Sequence, residues 1–506
     1  MNIIYPSKKE YLEKAKKYNL IPVYKEYMVD IETPVSIFIK AGGLKKEMFL
    51  LESMEGAKKL SRYSFIGVTS SSLIIFKDDI YSVKNQDEEA IEIKTLHPLK
   101  KLEKLLNGYR LYKNPALNHF VGGAVGYISY DLVKYFENIK IVKNGLKLPE
   151  MMLNLTDLII VFDHYLNSMK IIATLRIEKE TEKNKNFKSN AEETYIKSIK
   201  KIEKLESEIF STNNNSSGSN VSYFANNDKE IDFTSNFSKQ EFIDAVEKAK
   251  KYITDGEAFQ IVLSQRFSID NISNPFNIYR SLRTTNPSPY MYYINFGNLK
   301  IIGSSPEPLI KISGKKILSC PIAGTKKRGS NPKEERALVR GLLSDEKEAA
   351  EHNLLVDLSR NDLGRVCKFG SIKIKKYMSV EKYSHVIHLV SRIEGTLDKK
   401  STIYDALEST FPAGTLTGAP KIRAMQIINE LEPDCRGPYG GVVGYFGYDG
   451  SLDTCITIRT AIVKDKKIYV QAGAGIVFDS IAGSEWQETL NKAGALFNAI
   501  KIAAQM

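Results

Sequence analysis

The 506-residue sequence is poor in the residues that build disulfide frameworks and zinc sites, with four cysteines, Cys320, Cys367, Cys435 and Cys455, and six histidines. The cysteines form no C-x-x-C pair and no zinc-finger spacing with a histidine, which excludes both scaffolds and fits unpaired thiols in a reducing compartment. No run of about 18 apolar residues occurs, and the opening stretch MNIIYPSKKEYLEKAKKYN has no apolar centre of signal-peptide length. The expectation is a soluble, cytoplasmic protein with no membrane partner. Nucleotide loops are missing too. GTLTGAPK at 414–421 places Pro420 before Lys421 at the wrong spacing for a phosphate-binding loop, and neither a G-x-G-x-x-G fingerprint after a strand nor a serine nucleophile elbow is found.

Positive charge is in excess, with 72 Lys and Arg against 60 Asp and Glu. It is not gathered into a patch. Runs such as KKIEKLESE and DEKEAAEH interleave both signs, the pattern of solvated helix faces, so nucleic acid is not an expected partner.

A polar stretch containing STNNNSSGSN buries too little apolar surface to offset chain entropy, and a low-complexity linker or mobile loop is expected at 211–235. It divides the chain into an N-terminal domain, 1–210, and a second domain, 236–506. Ser238 and Glu241 form a capping box at the start of KQEFIDAVEKAKKYITDG, a helix expected to end at Gly256. The two parts share a phrase: GGAVGYISYD (122–131) returns as GGVVGYFGYD (440–449), identical at seven of ten positions, and FIGVTSSSLIIF (65–76) is echoed by IIGSSPEPLIKI (301–312). If the echoes mark a duplication, the first copy has VTSSS where the second has SSPE, and lacks the acid. Short β-rich runs with hairpin turns, among them PYMYYINFG and KIYVQAGAGIVF, alternate with helical patterns and predict antiparallel sheets in an α+β fold.

In the predicted helix DEKEAAEHNLLVDLSR, Ala350, Leu354, Leu355 and Leu358 define an apolar face, and Glu351 projects among them. An inward carboxylate requires a cation, a metal or a proton. A structural ion pair with a buried arginine and a ligand role both satisfy that need, and this helix alone does not choose. Glu348 lies one turn earlier. In the last helix, SEWQETLNKAGALFNAIKIA, Ser484 is a candidate cap and Glu485, Glu488 and Lys492 form a stripe apart from the apolar face. First-turn acids and an i,i+4 ion pair explain that stripe equally well. If the two acidic stripes face each other, their oxygens suit Mg²⁺. Arg459, Lys492 and the AGAG turn at 472–475, where Gly473 and Gly475 let backbone N–H groups approach closely, form an anion-binding set.

Taken together, SSPEPL, PIAGTKKRG, EHNLLVDLSRNDLGRV, YSHVIHLVS, FPAGTLTGAPK, RGPYGGVVGY, QAGAGIV and EWQETLNKA resemble the chorismate-utilising enzymes, most closely the large synthase subunits of anthranilate synthases. The resemblance implies two antiparallel β-sheets packed face to face with helices outside. It implies conversion of chorismate and ammonia to anthranilate and pyruvate in tryptophan biosynthesis, with Mg²⁺ as cofactor. It makes Glu351 and Glu488 direct metal ligands, with Glu348 and Glu485 acting through water. Glu307 becomes the acid that protonates the departing C4 hydroxyl, and Thr415, His388 and Gln260 join it as catalytic residues, His388 in the second step. Gly324, Thr325, Tyr439, Arg459, Gly473, Gly475 and Lys492 are assigned to substrate. Leu51, Glu52, Ser53, Pro289, Tyr290 and Met291 are assigned to a tryptophan inhibitor site built largely from the N-terminal domain. A separate glutamine amidotransferase subunit would supply ammonia, making the protein part of a hetero-oligomer.

Two positions separate reactions within the family. Aminodeoxychorismate synthases typically carry a covalent lysine in PIKGT where this chain has Ala323, and water-adding relatives usually carry a lysine base where it has Gln260. With neither lysine present, direct ammonia addition is the expected reaction. Aminodeoxychorismate synthesis and non-catalytic sensing of chorismate or tryptophan are the alternatives.

Overall fold

The run MMLNLTDLIIVFD is buried at every position, the mark of a strand covered on both faces. It is the spine of a structure whose computed structural model describes residues 3–54, 62–85, 88–141, 144–178, 187–211, 231–270, 274–382 and 386–506. Before residue 211 the strands are β1 (Val23–Met28), β2 (Phe49–Glu52), β3 (Tyr63–Lys77), β4 (Ile80–Asn85), β5 (Ile91–Lys94), β6 (Gly123–Ile128), β7 (Met151–Asp163) and β8 (Ser168–Ala173). They are followed by β9 (Thr234–Ser235), β10 (Gln260–Asp270), β11 (Tyr290–Asn295), β12 (Leu299–Ser305), β13 (Pro308–Ser313), β14 (Lys316–Ser319), β15 (Ile322–Lys327), β16 (Lys373–Lys382) and β17 (Val386–Thr396). The last are β18 (Gly418–Ala419), β19 (Val442–Gly447), β20 (Leu452–Ile456), β21 (Thr460–Lys464) and β22 (Lys467–Ile476).

These strands make two antiparallel sheets joined through the long, irregular β3 and β7. The first runs β1, β8, the end of β7, the start of β3, β2, β11, β12, β21, β22, β10. The second runs β5, β4, the end of β3, the start of β7, β6, β19, β20, β13, β14, β17, with β15 and β16 also paired to β17. Alternation along β11 fixes which face goes where. Tyr292 and Ile294 join Ile310, Val443 and Leu452 in the core between the sheets. Met291 and Tyr293 point the other way, into a core with the helices Lys8–Ala15, Pro34–Lys40, Phe187–Phe210, Pro275–Thr285 and Ala482–Ala503. The α+β, two-sheet architecture expected from the sequence is the one observed.

Both sheets read alike from their centres outward. From the β2–β11 pair in the first and the β6–β19 pair in the second, corresponding strands follow in the same order on either side. The repeated phrase lies on that axis, since Gly126 pairs with Gly444 while Ala124 pairs with Phe446. The duplication is thus visible as topology. These pairings also carry both sheets across the expected boundary near residue 235.

Residues 212–230 of the expected linker lie outside the described residues. Its end is ordered: Thr234 and Ser235 pair with Ser268 and Phe267 of β10. The Ser238–Glu241 capping box forms as predicted, with Glu241 Oε2 accepting from Ser238 N at 2.7 Å. Ser484 does not cap the last helix. That helix begins at Ala482, and Ser484 N already donates to Ile481 O at 2.8 Å, which places Ser484 inside the first turn. Among the described residues no helix is long and apolar enough to cross a membrane.

Candidate active site

The strands that run unbroken in the first repeat are interrupted in the second. Where β3 continues through VTSSS with shifts of register, its counterpart splits into β12 and β13 around Pro306 and Glu307. Where β7 continues, its counterpart splits into β20 and β21, and Arg459 in the gap adopts a left-handed φ of 48°. The gaps are knitted together: Ile456 N donates to Glu307 O at 3.0 Å, Ser305 Oγ to Ile456 O at 2.7 Å, and Ser304 N to Arg459 O at 3.1 Å. Each break frees a side chain from sheet packing and turns it into one cavity. A non-glycine residue held at positive φ is strain of the kind that concentrates at functional sites.

That cavity, of about 610 Å³, is lined by Gln260, Glu307, Gly324, Glu348, Glu351, His388, Thr415, Tyr439, Arg459, Gly473, Gly475, Glu485, Glu488 and Lys492. The side chain of Thr325 lies outside the described residues, while its backbone pairs with His388. Two glycines make room. A Cβ on Gly473 would stand 2.9 Å from the Tyr439 hydroxyl, and one on Gly475 2.7 Å from Gln260 Nε2. Lys492 Nζ donates to Gly473 O at 3.0 Å and pairs with Glu488 Oε1 at 2.6 Å.

Burial sets the protonation states. Glu307 is pushed up to about 8, although the hydrogen bond from Thr415 Oγ1 at 3.1 Å and the charges of Arg459 and Lys492 pull it down. At neutral pH it holds a proton and can give it away. Burial pushes His388 down to about 4, so its imidazole is neutral. Its Nδ1 lies 3.3 Å from Gly324 O, a contact that requires the proton on Nδ1 and leaves the lone pair on Nε2.

Glu351 differs from expectation. The helix Glu346–Gly364 buries His352, Leu355, Val356 and Leu363, while Ala350 and Glu351 are exposed. A histidine that looks polar in the sequence occupies the buried stripe, its Nε2 2.6 Å from Ser391 Oγ, and this turns the packed face by about one residue, roughly 100°. Glu351 therefore lines an open cavity and carries no burial cost. The carboxylates of Glu348, Glu351, Glu485 and Glu488 offer oxygen donors only, the chemistry Mg²⁺ takes. Among the described residues, however, no three acidic, histidine or cysteine side chains are gathered closely enough to hold an ion.

A second cavity, of about 640 Å³, lies between the β2–β11 pair and β19 of the opposing sheet. Leu51, Glu52, Ser53, Pro289, Tyr290 and Met291 all line it, with Lys311, Tyr445 and Asp453. Glu52 is anchored from behind by the Tyr279 hydroxyl and by Arg283 Nε at 2.9 Å. Tyr290 donates to Asp453 at 2.8 Å, and Lys311 pairs with the same carboxylate at 2.5 Å.

Sequence reasoning passed over Gln471, which lines the catalytic cavity one residue before the AGAG turn, and Lys311 and Asp453 in the second cavity. The alternation of β22 held a signal for Gln471, because Gly473 and Gly475 share its side of the strand. Lys311 and Asp453 read as ordinary surface charges on strands.

The protein-family model for chorismate binding enzymes matches residues 47–498. Anthranilate synthase component 1 of Acetivibrio thermocellus is 45% identical over 505 residues, covering 100% of both chains. That of Aquifex aeolicus is 44% identical over 500 residues, 97% of each. The crystal structure of anthranilate synthase component I from Streptococcus pneumoniae superposes with a TM-score of 0.73 at 35% identity, covering 93% of this chain and 98% of that one. Matched by the family model over most of its length and by these relatives nearly end to end, this chain belongs to the chorismate-binding enzyme family, within its anthranilate synthase component 1 group.

Proposed function

We propose that the protein converts chorismate and ammonia to anthranilate and pyruvate. The observation that carries this reading is Glu307, a carboxyl kept protonated at neutral pH in a cavity whose basic side chains, Arg459 and Lys492, suit a dianion. Arg459, Lys492 and the backbone N–H groups near Gly473 and Gly475 hold the substrate carboxylates, with Tyr439 and Gly324 beside them. Ammonia adds at C2, oriented by the Gln260 amide, the C4 hydroxyl departs as water on taking the Glu307 proton, and the new C2 ammonium gives up a proton that restores Glu307. His388 is suited to the second step, in which its Nε2 accepts the C2 proton as pyruvate leaves and the ring becomes aromatic. Glu351 and Glu488 would hold Mg²⁺ directly, with Glu348 and Glu485 supporting it through water, and the ion when bound opposes the negative charge of the substrate carboxylate. The buried alanine at position 323 favours this reaction over aminodeoxychorismate synthesis, which uses a lysine there. Incubating the protein with chorismate, an ammonium salt and Mg²⁺ should give anthranilate fluorescence and stoichiometric pyruvate; aminodeoxychorismate as the sole product would reject the reading.

Ammonia has no source among this chain's own thiols. Burial pushes Cys320 and Cys435 up to about 12 and Cys367 to about 11, and raises Cys455 as well, so none is the thiolate that glutamine hydrolysis needs. We therefore assign that step to a separate amidotransferase subunit, in a hetero-oligomer in the cytoplasm.

The larger cavity is assigned to tryptophan as feedback inhibitor, with residues 1–210 providing much of its wall. Ser53→Phe should fill it, raising the tryptophan concentration for half-inhibition at least about tenfold while leaving uninhibited turnover within twofold. Calorimetry giving equal tryptophan affinity for the variant and the wild type would remove this site.

A further inference from the structure

Arg436 stands outside the catalytic cavity, between the helix Lys421–Leu431 and β19, and is 2% exposed. Its donors converge on the elements that carry the site. Nη1 donates at 2.6 Å to the carbonyl of Leu416, the residue after Thr415, and Nη2 at 2.7 Å to the carbonyl of Val262, two residues beyond Gln260. Nε and Nη2 also donate to the two oxygens of Glu432, at 2.9 and 2.6 Å. The guanidinium lies 4.7 Å from the Tyr130 ring centre and 5.6 Å from that of Tyr439. Glu432 extends the hub: it accepts from Ser264 N and Oγ, both at 2.8 Å, and Ser264 Oγ accepts from Gln471 Nε2 at 2.9 Å.

A buried ion pair is weak evidence for stability, because apolar residues of similar volume often fold as well. What they cannot supply is direction. A planar guanidinium fixes several acceptors at once, and no lysine or aliphatic side chain reproduces its fork. Here the fork ties together two pieces of chain distant in sequence, the start of β10 and the turn holding Thr415, beside the ring of Tyr439, and all three contribute to the cavity.

We propose that Arg436, held by Glu432, is a positioning residue for the first chemical step. It sets Leu416, and through it the Thr415 hydroxyl against Glu307, relative to the strand bearing Gln260. This rests on the reading of Glu307 as the acid. Arg436 stands outside the catalytic cavity and acts through Thr415.

The test uses Arg436→Lys, which keeps the charge and loses the fork, and the paired replacement Arg436→Met with Glu432→Leu, which removes both charges and leaves no buried ion uncompensated. Folding is followed by near-ultraviolet circular dichroism and thermal unfolding. In folded protein kcat should fall about 10- to 100-fold with the chorismate KM within threefold. The alkaline limb of the kcat profile should move to higher pH, because the Thr415 hydrogen bond holds Glu307 down, the other charges facing it being Arg459 and Lys492. Introduced into Thr415→Val, Arg436→Lys should move the limb no further. The proposal is overturned if either folded variant keeps the wild-type kcat and limb, or if activity falls only with the folded fraction while the limb stays put. Wild-type protein that makes no anthranilate from chorismate and ammonium would instead overturn the assigned reaction.

Discussion

Replacing Glu307 by glutamine is expected to lower kcat by about 10²–10⁴ while leaving the chorismate KM within a few-fold, as when a group acts mainly in the transition state. The same substitution should stabilise the fold at neutral pH. In the folded chain Glu307 keeps its proton up to about 8, against an ordinary value of 4.5 in the unfolded chain. Between those values the folded state binds more protons, so its contribution to stability is complete below 4.5 and is lost as pH rises through 8. By pH 7 the loss is on the order of 3 kcal/mol, one pKa unit being worth about 1.4. Glutamine has no ionised form to favour unfolding, and its amide oxygen still accepts from Thr415. Urea unfolding between pH 5 and 8 should therefore show the gap between variant and wild type widening with pH. A constant gap would mean that Glu307 is not held protonated, and unchanged kcat with raised KM would make it a binding residue.

The second large effect concerns the cavity's acids. Glu351→Gln and Glu488→Gln should each lower anthranilate formation at least about 100-fold without disturbing the fold, as loss of a metal ligand does. Glu351 is exposed and Glu488 is held on the surface of its helix by Lys492, so neither supports a core. Calorimetric titration with Mg²⁺ in the presence of chorismate should lose its heat in both variants, and a chelator should silence the wild type. Near-wild-type turnover at limiting Mg²⁺ in either variant would strike that residue from the ligand set.

What the sequence made legible is what repeats or what chemistry demands in a fixed order. The phrase shared by 122–131 and 440–449 marked the two central strands before any topology was known. The motifs around Glu307, Arg459, Gly473 and Lys492 named walls of a single cavity although they come from separate elements. What stayed hidden depends on tertiary partners. The neighbouring leucines predict an inward Glu351, yet His352 takes the buried stripe because Ser391, on a distant strand, meets its imidazole. Arg436 looks in sequence like any arginine after a helix; its acceptors at 262 and 416 are brought to it only by the closed fold. Lys311 and Asp453 are alternating strand residues whose importance arises when the second sheet closes over the first.

The larger cavity sits on the seam of the duplication, with Leu51 on one repeat and Tyr292 on its counterpart forming one wall, and Val443 to Tyr445 of the opposing central strand forming the other. A molecule lodged there would bear on the same strand of both repeats, so its fit would gauge the spacing between the halves more than the shape of either. Two strands that reach the seam, β13 with Ile312 and β20 with Leu452, run from it to the gaps that hold Glu307 and Arg459. A wedge that opened the joint would reach the acid and the arginine through the backbone of these two strands. Sensitivity to such a ligand is then a matter of leverage: the shorter the strand between seam and gap, the less a given spread is absorbed before it reaches the chemistry.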